Sequence, residues 1–107
     1  MDAFEALADP TRRQIVAMLA VGERSAGTIA RQFDIAEPSV SRHLKVLRES
    51  GLIAYRREAT TRFYRLEPEP LEQVRQWMDA QLDLAKARFD RLGVHLDRMK
   101  AREDGDG

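Results

Sequence analysis

Five stretches of the chain space their apolar residues like helices, and between the fourth and the fifth the spacing shifts to that of strands. Phe4 and Leu7, with Ala8 beside them, mark a short amphipathic segment at the start. Asp9 followed by Pro10 predicts a helix start, because the carboxylate can accept from free backbone N–H groups and proline tolerates the first helical position. Ile15, Val16, Met18 and Leu19 then supply an apolar face, and Gly22 ends the helix. Ser25 is the next expected cap, opening a short helix with Ile29, Ala30 and Phe33 turned inward. Asp34 and Ile35 make a brief turn before a further helix begins near Glu37. Two short helices joined by three or four residues form a helix-turn-helix.

From Glu37 to Ser50, Val40, Leu44 and Leu47 fall at i, i+4 and i+7 and predict a packing stripe. At about 100° per residue the opposite face carries Pro38, Arg42, Lys45 and Glu49, with Ser39, Ser41 and Val46 on its shoulders. Arginine can donate two parallel bonds to guanine O6 and N7, and serine hydroxyls are short enough for phosphates or base edges, so this face suits a major groove. His43 lies nearer the inner edge, where packing or a local hydrogen bond is expected. Gly51 is the expected C-cap. Beyond it LIAYRRE alternates Leu52, Ala54 and Arg56 with Ile53, Tyr55 and Arg57, and RFYRL follows after a polar tip that includes Thr60 and Thr61. This predicts a hairpin whose Arg56, Arg57 and Arg62 can reach the backbone of an adjacent minor groove. The alternative is that these arginines only protect an exposed edge strand from aggregation.

The last segment has another period. Leu71, Met78, Ala85, Leu92 and Met99 recur every seven residues, and Leu82, Phe89 and Leu96 follow Met78, Ala85 and Leu92 by four. A helix from about Pro68 to Lys100 would extend roughly 45 Å. So small a domain cannot bury such a stripe alone, so pairing with the same helix of a second subunit is expected, the alternative being packing within its own chain.

Composition narrows the function. The chain has 107 residues and no cysteine, which points to one small domain and excludes a disulfide scaffold, a zinc ribbon and thiolate-based sensing. Net charge is zero, yet residues 42–65 hold seven Lys/Arg against two acids, a local +5 of the kind that meets phosphates. No apolar run reaches the roughly 20 residues of a membrane span, and MDAFEALADP lacks a basic region followed by an apolar one, so a soluble, cytoplasmic protein is expected. There is no cysteine nucleophile, glycine-rich phosphate loop or plausible His/Ser/Asp set, so an enzyme is not expected. The expected fold is mainly α with a small β-hairpin wing. It is a single winged helix-turn-helix domain over 1–101, with a DNA-binding core at about 9–66, a dimerisation helix at about 68–100 and a disordered tail over 102–107.

The runs ADPTRRQIVAML (Ala8 to Leu19), VSRHLKVLRESGLI (Val40 to Ile53), RFYRL (Arg62 to Leu66) and PLEQVRQW (Pro70 to Trp77) resemble the ArsR family of bacterial winged-helix transcriptional regulators. The resemblance covers nearly the whole chain. It implies a homodimer built through the first and last helices, here Phe4, Leu7, Met78, Leu82, Ala85, Phe89, Leu92 and Leu96, presenting two recognition helices to a palindromic operator. It further implies repression, often of the regulator's own operon, with DNA read at Glu37, Pro38, Ser39, Ser41 and Arg42. Two positions depart from the family pattern. Glu37 stands where relatives often have glutamine, and a carboxylate there suits DNA only if it accepts from a cytosine amino group. EATT (Glu58 to Thr61) replaces the glycine common at the wing tip, which leaves the tip's conformation open.

Metal-sensing members use cysteines in the first helix of the motif or Asp/His pairs on the last helix. Here SAGTIARQF has no thiol, His95 is alone on the last helix and His43 lies in the DNA helix. Asp83, Asp90 and Asp97 at heptad spacing read as a solvated acidic flank, so neither a metal nor another cofactor is expected. Relief of repression would fall to a small-molecule inducer, to a partner protein or to no ligand at all. The competing function is a winged-helix protein-interaction module that docks a partner through its long C-terminal helix, since fold alone does not set function.

Overall fold

The computed structural model describes residues 1–93. The order is α1 (Ala3–Leu7), α2 (Pro10–Val21), β1 (Arg24–Ser25), α3 (Ala26–Arg31), α4 (Glu37–Glu49), β2 (Ile53–Glu58), β3 (Thr61–Leu66) and α5 (Pro68–Arg91). The fold is mainly helical with a small antiparallel sheet, a winged helix-turn-helix followed by a long helix. It divides into two compact units, Met1–Val74 and Arg75 onward.

The first unit forms around one apolar core: Ala6, Ile15, Val16, Leu19, Ile29, Val40, Leu44, Leu47, Leu52, Ile53 and Tyr64 are all buried. The expected stripe of α4 is there in full, and no charged side chain is buried with it among the described residues. Phe33 lies past the end of α3 in the turn, half-buried against this core. In α1 the buried residue is Ala6, whereas Phe4 is exposed.

Caps set the helix ends. Asp9 accepts from the backbone N–H of Thr11 (2.8 Å) and of Arg12 (3.1 Å), so one carboxylate satisfies two of the four free donors of α2. Ser25 does the same for α3 through Thr28 N–H (3.1 Å). At the other end of α4 the cap is Ser50, and Gly51 lies one residue beyond it at φ 82°. There Gly51 N–H donates to Arg48 O (3.0 Å) and Leu52 N–H to Leu47 O (3.1 Å), the paired bonds of a Schellman turn, which only a residue at ease with positive φ allows. The chain thereby leaves the helix with Leu52 already in the core.

The sheet order is β1-β3-β2, antiparallel throughout. The expected hairpin is therefore joined by a third strand, β1, paired Arg24 with Tyr64 and Ser25 with Phe63. Two residues are too few to show an alternation, so β1 left no pattern in the sequence. The wing tip is a two-residue loop, Ala59 and Thr60, between the paired Glu58 and Thr61, and Ala59 takes φ 55° where glycine would be unstrained.

The second unit is described as helix to Arg91, followed by a turn at Gly93 with φ 74°. Along it Met78, Leu82 and Leu92 are exposed, and Ala85 and Phe89 are half-buried. Trp77 and Leu84 widen the apolar surface, both exposed. Leu96, Met99, His95, Asp97 and the tail over 102–107 lie outside the described residues. No described helix is long and apolar enough to cross a membrane.

Candidate nucleic-acid interface

The buried stripe of α4 fixes which face is left for solvent. Glu37, Pro38, Ser41, Arg42, Lys45 and Glu49 are exposed, and Ser39 is half-buried on the shoulder. The N-cap of α4 is Ala36, which offers no side-chain cap; Pro38 has no N–H to satisfy, and the N–H groups of Ser39 (2.9 Å) and Val40 (3.2 Å) donate to Ala36 O instead. Arg42 and Lys45 form no ion pair among the described residues, leaving their charge for an external anion.

His43 points the other way. Arg12 Nη1 lies 3.5 Å from His43 Nδ1, which accepts in the tautomer protonated on Nε2. The same guanidinium donates from Nε to Ala6 O (2.6 Å) and from Nη2 to Glu5 O (3.1 Å), while Arg13 Nη1 donates to Leu7 O (2.8 Å) and Ala8 O (3.1 Å). Arg12 and Arg13 thus satisfy the last carbonyls of α1, and Arg12 links α1 and α2 to the reading helix. No periodicity in the sequence marks these two arginines for that role.

Asp9 anchors that arrangement. The Arg12 backbone N–H that donates to it holds its carboxyl below the usual carboxylate value of 3.8; partial burial pulls the other way, and the His43 and Arg12 charges add to the lowering. Because the folded carboxyl titrates lower than the unfolded one, the cap's contribution is complete above the ordinary carboxylate range. It is lost as pH falls through the folded value. Asp9→Ala is expected to lower stability by about 1–2 kcal/mol at neutral pH, the value of a lost N-cap, and by progressively less below about pH 4. Urea titrations at several pH values measure this, and a deficit that persists in acid would remove the carboxylate from the explanation.

The wing's pairing register sorts its arginines onto two faces. Tyr55 faces Tyr64 and Arg57 faces Arg62 on one side, while Arg56 faces Phe63 and Ala54 faces Arg65 on the other. On the second face charge is already answered. Arg56 is 2.8 Å from Glu23 and 3.0 Å from Glu58, with its guanidinium 4.7 Å from the Phe63 ring centre, and Arg65 is 3.0 Å from Glu67. The hydrogen bonds that Arg56 donates to Glu23 are the first cause of the upward shift in its pKa, and the one it donates to Glu58 is the second. Arg57 and Arg62 make no ion pair among the described residues, and Thr60 and Thr61 are exposed at the tip. Arg56, grouped with Arg57 in the sequence, is therefore placed in a different setting. No group of three or more His, Asp or Glu suited to a metal occurs among the described residues.

A helix-turn-helix domain family matches residues 7–56 of the chain. The chain is 38% identical over 77 residues to the transcriptional repressor SdpR of Bacillus subtilis, an alignment spanning 72% of this chain and 86% of that protein. It belongs to the ArsR family of winged helix-turn-helix transcriptional regulators. A second relative, the HTH-type transcriptional regulator Rv2034 of Mycobacterium tuberculosis, is 44% identical over 77 residues, 72% of either chain. Among solved structures, an ArsR family transcriptional regulator superposes with a TM-score of 0.72 at 36% identity, covering 78% of this chain and 86% of its own. A possible transcriptional regulator for arsenical resistance does so with 0.70 at 37%, covering 82% and 96%. In this ArsR-family chain the matched domain ends at residue 56, so it takes in all of α4 and only the first four residues of β2.

Proposed function

We propose that the protein is a homodimeric, sequence-specific DNA-binding repressor that occludes a promoter, such as its own, by binding a palindromic operator. The observation that carries this reading is the division of α4 into a fully buried stripe and an exposed face bearing Ser41, Arg42 and Lys45, with a cationic wing face following it in the chain. Repression is also the activity named for SdpR. In this reading Arg42 reads a base, Pro38, Ser39, Ser41 and Lys45 fit the groove and its phosphates, Glu37 accepts from a cytosine amino group, and Arg57, Arg62, Thr60 and Thr61 hold the flanking backbone. The apolar face of α5 and the first helix, through Phe4, Leu7, Met78, Leu82, Ala85, Phe89 and Leu92, join two copies. Half-sites about one helical turn apart, or a multiple, follow from that symmetry.

Selection of bound duplexes from a random pool supplies the operator, and Arg42→Ala tests the reader. The variant is expected to lose about 10-fold or more in affinity for the selected duplex and much less for a scrambled one, since a bidentate base contact is worth about 1–3 kcal/mol. Arg57→Ala should weaken both alike. Equal losses in Arg42→Ala would remove it from base reading, and wild-type binding indifferent to salt between about 50 and 200 mM would reject the DNA-binding function itself. The rival reading, a module that docks another protein, is disfavoured by the charged outer face of α4, where a protein-docking version would expose apolar residues.

A further inference from the structure

We infer that Tyr55 is a positioning residue that holds Arg48 and Arg62 as a two-cation clamp for duplex phosphate, which makes Arg48 a DNA contact bridging the reading helix and the wing. This rests on the DNA-binding reading above and adds a residue to it. Arg48 is in the last turn of α4, Tyr55 is on β2 and Arg62 on β3, yet both guanidiniums lie over one ring, Arg48 at 5.3 Å and Arg62 at 4.6 Å from its centre. Tyr64, buried and directly across the hairpin, packs its ring against Tyr55 at a centroid distance of 5.5 Å, the two planes tilted by 49°. Two like charges sharing a ring repel each other, and neither has a carboxylate partner among the described residues. The contrast with the other wing face is what gives this meaning: Arg56 and Arg65 there are neutralised by Glu23, Glu58 and Glu67.

The ring's negative face offsets part of the repulsion and restricts both side chains, which leaves their N–H edges for an anion. A phosphate of the DNA backbone supplies the missing charge. Arg57 stands directly opposite Arg62, so the cationic surface continues toward the wing tip.

The probe is a fluorescein-labelled duplex of mixed sequence, titrated by anisotropy across a salt series with the full chain. Arg48→Gln and Arg62→Gln should each reduce the slope of log K against log salt by about 0.9 and weaken binding about eightfold at 0.1 M salt, the release of one phosphate contact. Tyr55→Leu keeps both charges, yet should lower the slope as well, and Tyr55→Phe, which keeps the ring, should restore it. Arg65→Gln, whose charge is paired, should leave the slope unchanged. A wild-type slope in Arg48→Gln alongside a reduced one in Arg57→Gln would overturn the clamp while leaving DNA binding intact. A Tyr55→Leu variant that loses thermal stability but keeps the full slope would assign Tyr55 to packing alone and overturn its positioning role. Wild-type protein that fails to bind the duplex at low salt would overturn both readings together.

Discussion

Leu82→Glu is expected to convert the protein to a folded monomer and to lower operator affinity by two orders of magnitude or more. Leu82 is 48% exposed and lies on a helix with no buried residue, so a charge there costs the isolated chain little: glutamate and leucine have nearly equal helix propensity. In a dimer sealed by Met78, Leu82, Ala85, Phe89 and Leu92 the same charge would be buried without a partner, at a cost of several kcal/mol. A monomer keeps one reading helix and loses the second half-site, whose contribution through effective concentration is about 10²- to 10⁴-fold. Sedimentation equilibrium reports the mass, circular dichroism the helix content and anisotropy the affinity. A wild-type protein that is monomeric at micromolar concentration, or a variant that stays dimeric with full affinity, would reject α5 as the interface.

Leu47→Ala is expected to have the largest effect on stability. Leu47 is fully buried in the centre of the stripe, and truncating such a side chain costs about 2–5 kcal/mol, a large part of the 5–15 kcal/mol that holds a domain together. For a unit of this size that lowers the melting temperature by about 10–20 °C or more. Lys45→Ala, two residues earlier on the exposed face, should stay within about 0.5 kcal/mol of wild type while weakening DNA binding. Calorimetry on the two variants at one protein concentration makes the comparison, because a dimer's stability depends on concentration. Similar melting temperatures for both would mean that the two faces of α4 are not divided as described.

Local chemistry explains why so much of the domain was legible. The Asp9 cap, the Ser25 cap and the Val40, Leu44, Leu47 stripe each depend on residues within one or two helical turns, where spacing translates directly into position. The hairpin was readable for the same reason, since its strands are joined by two residues. The wing tip was not, because nothing in EATT specifies that Ala59 alone should take positive φ. Nor was Arg12, whose role comes from carbonyls six and seven residues away and a histidine 31 residues on.

The arginine-rich stretch from Arg42 to Arg65 shows where the boundary falls. By itself the sequence determined that cations are concentrated beside an amphipathic helix, that the helix has one apolar stripe, and that a hairpin follows. Tertiary structure decided which of those cations are available. Arg56 is neutralised by Glu23, 33 residues earlier in the chain, and strand register places Arg57 across from Arg62 on one face and Arg56 across from Phe63 on the other. Helical and strand periods are set by the backbone and can be counted along the chain. Charge pairing between distant segments depends on which surfaces the core brings together, and no local spacing encodes that.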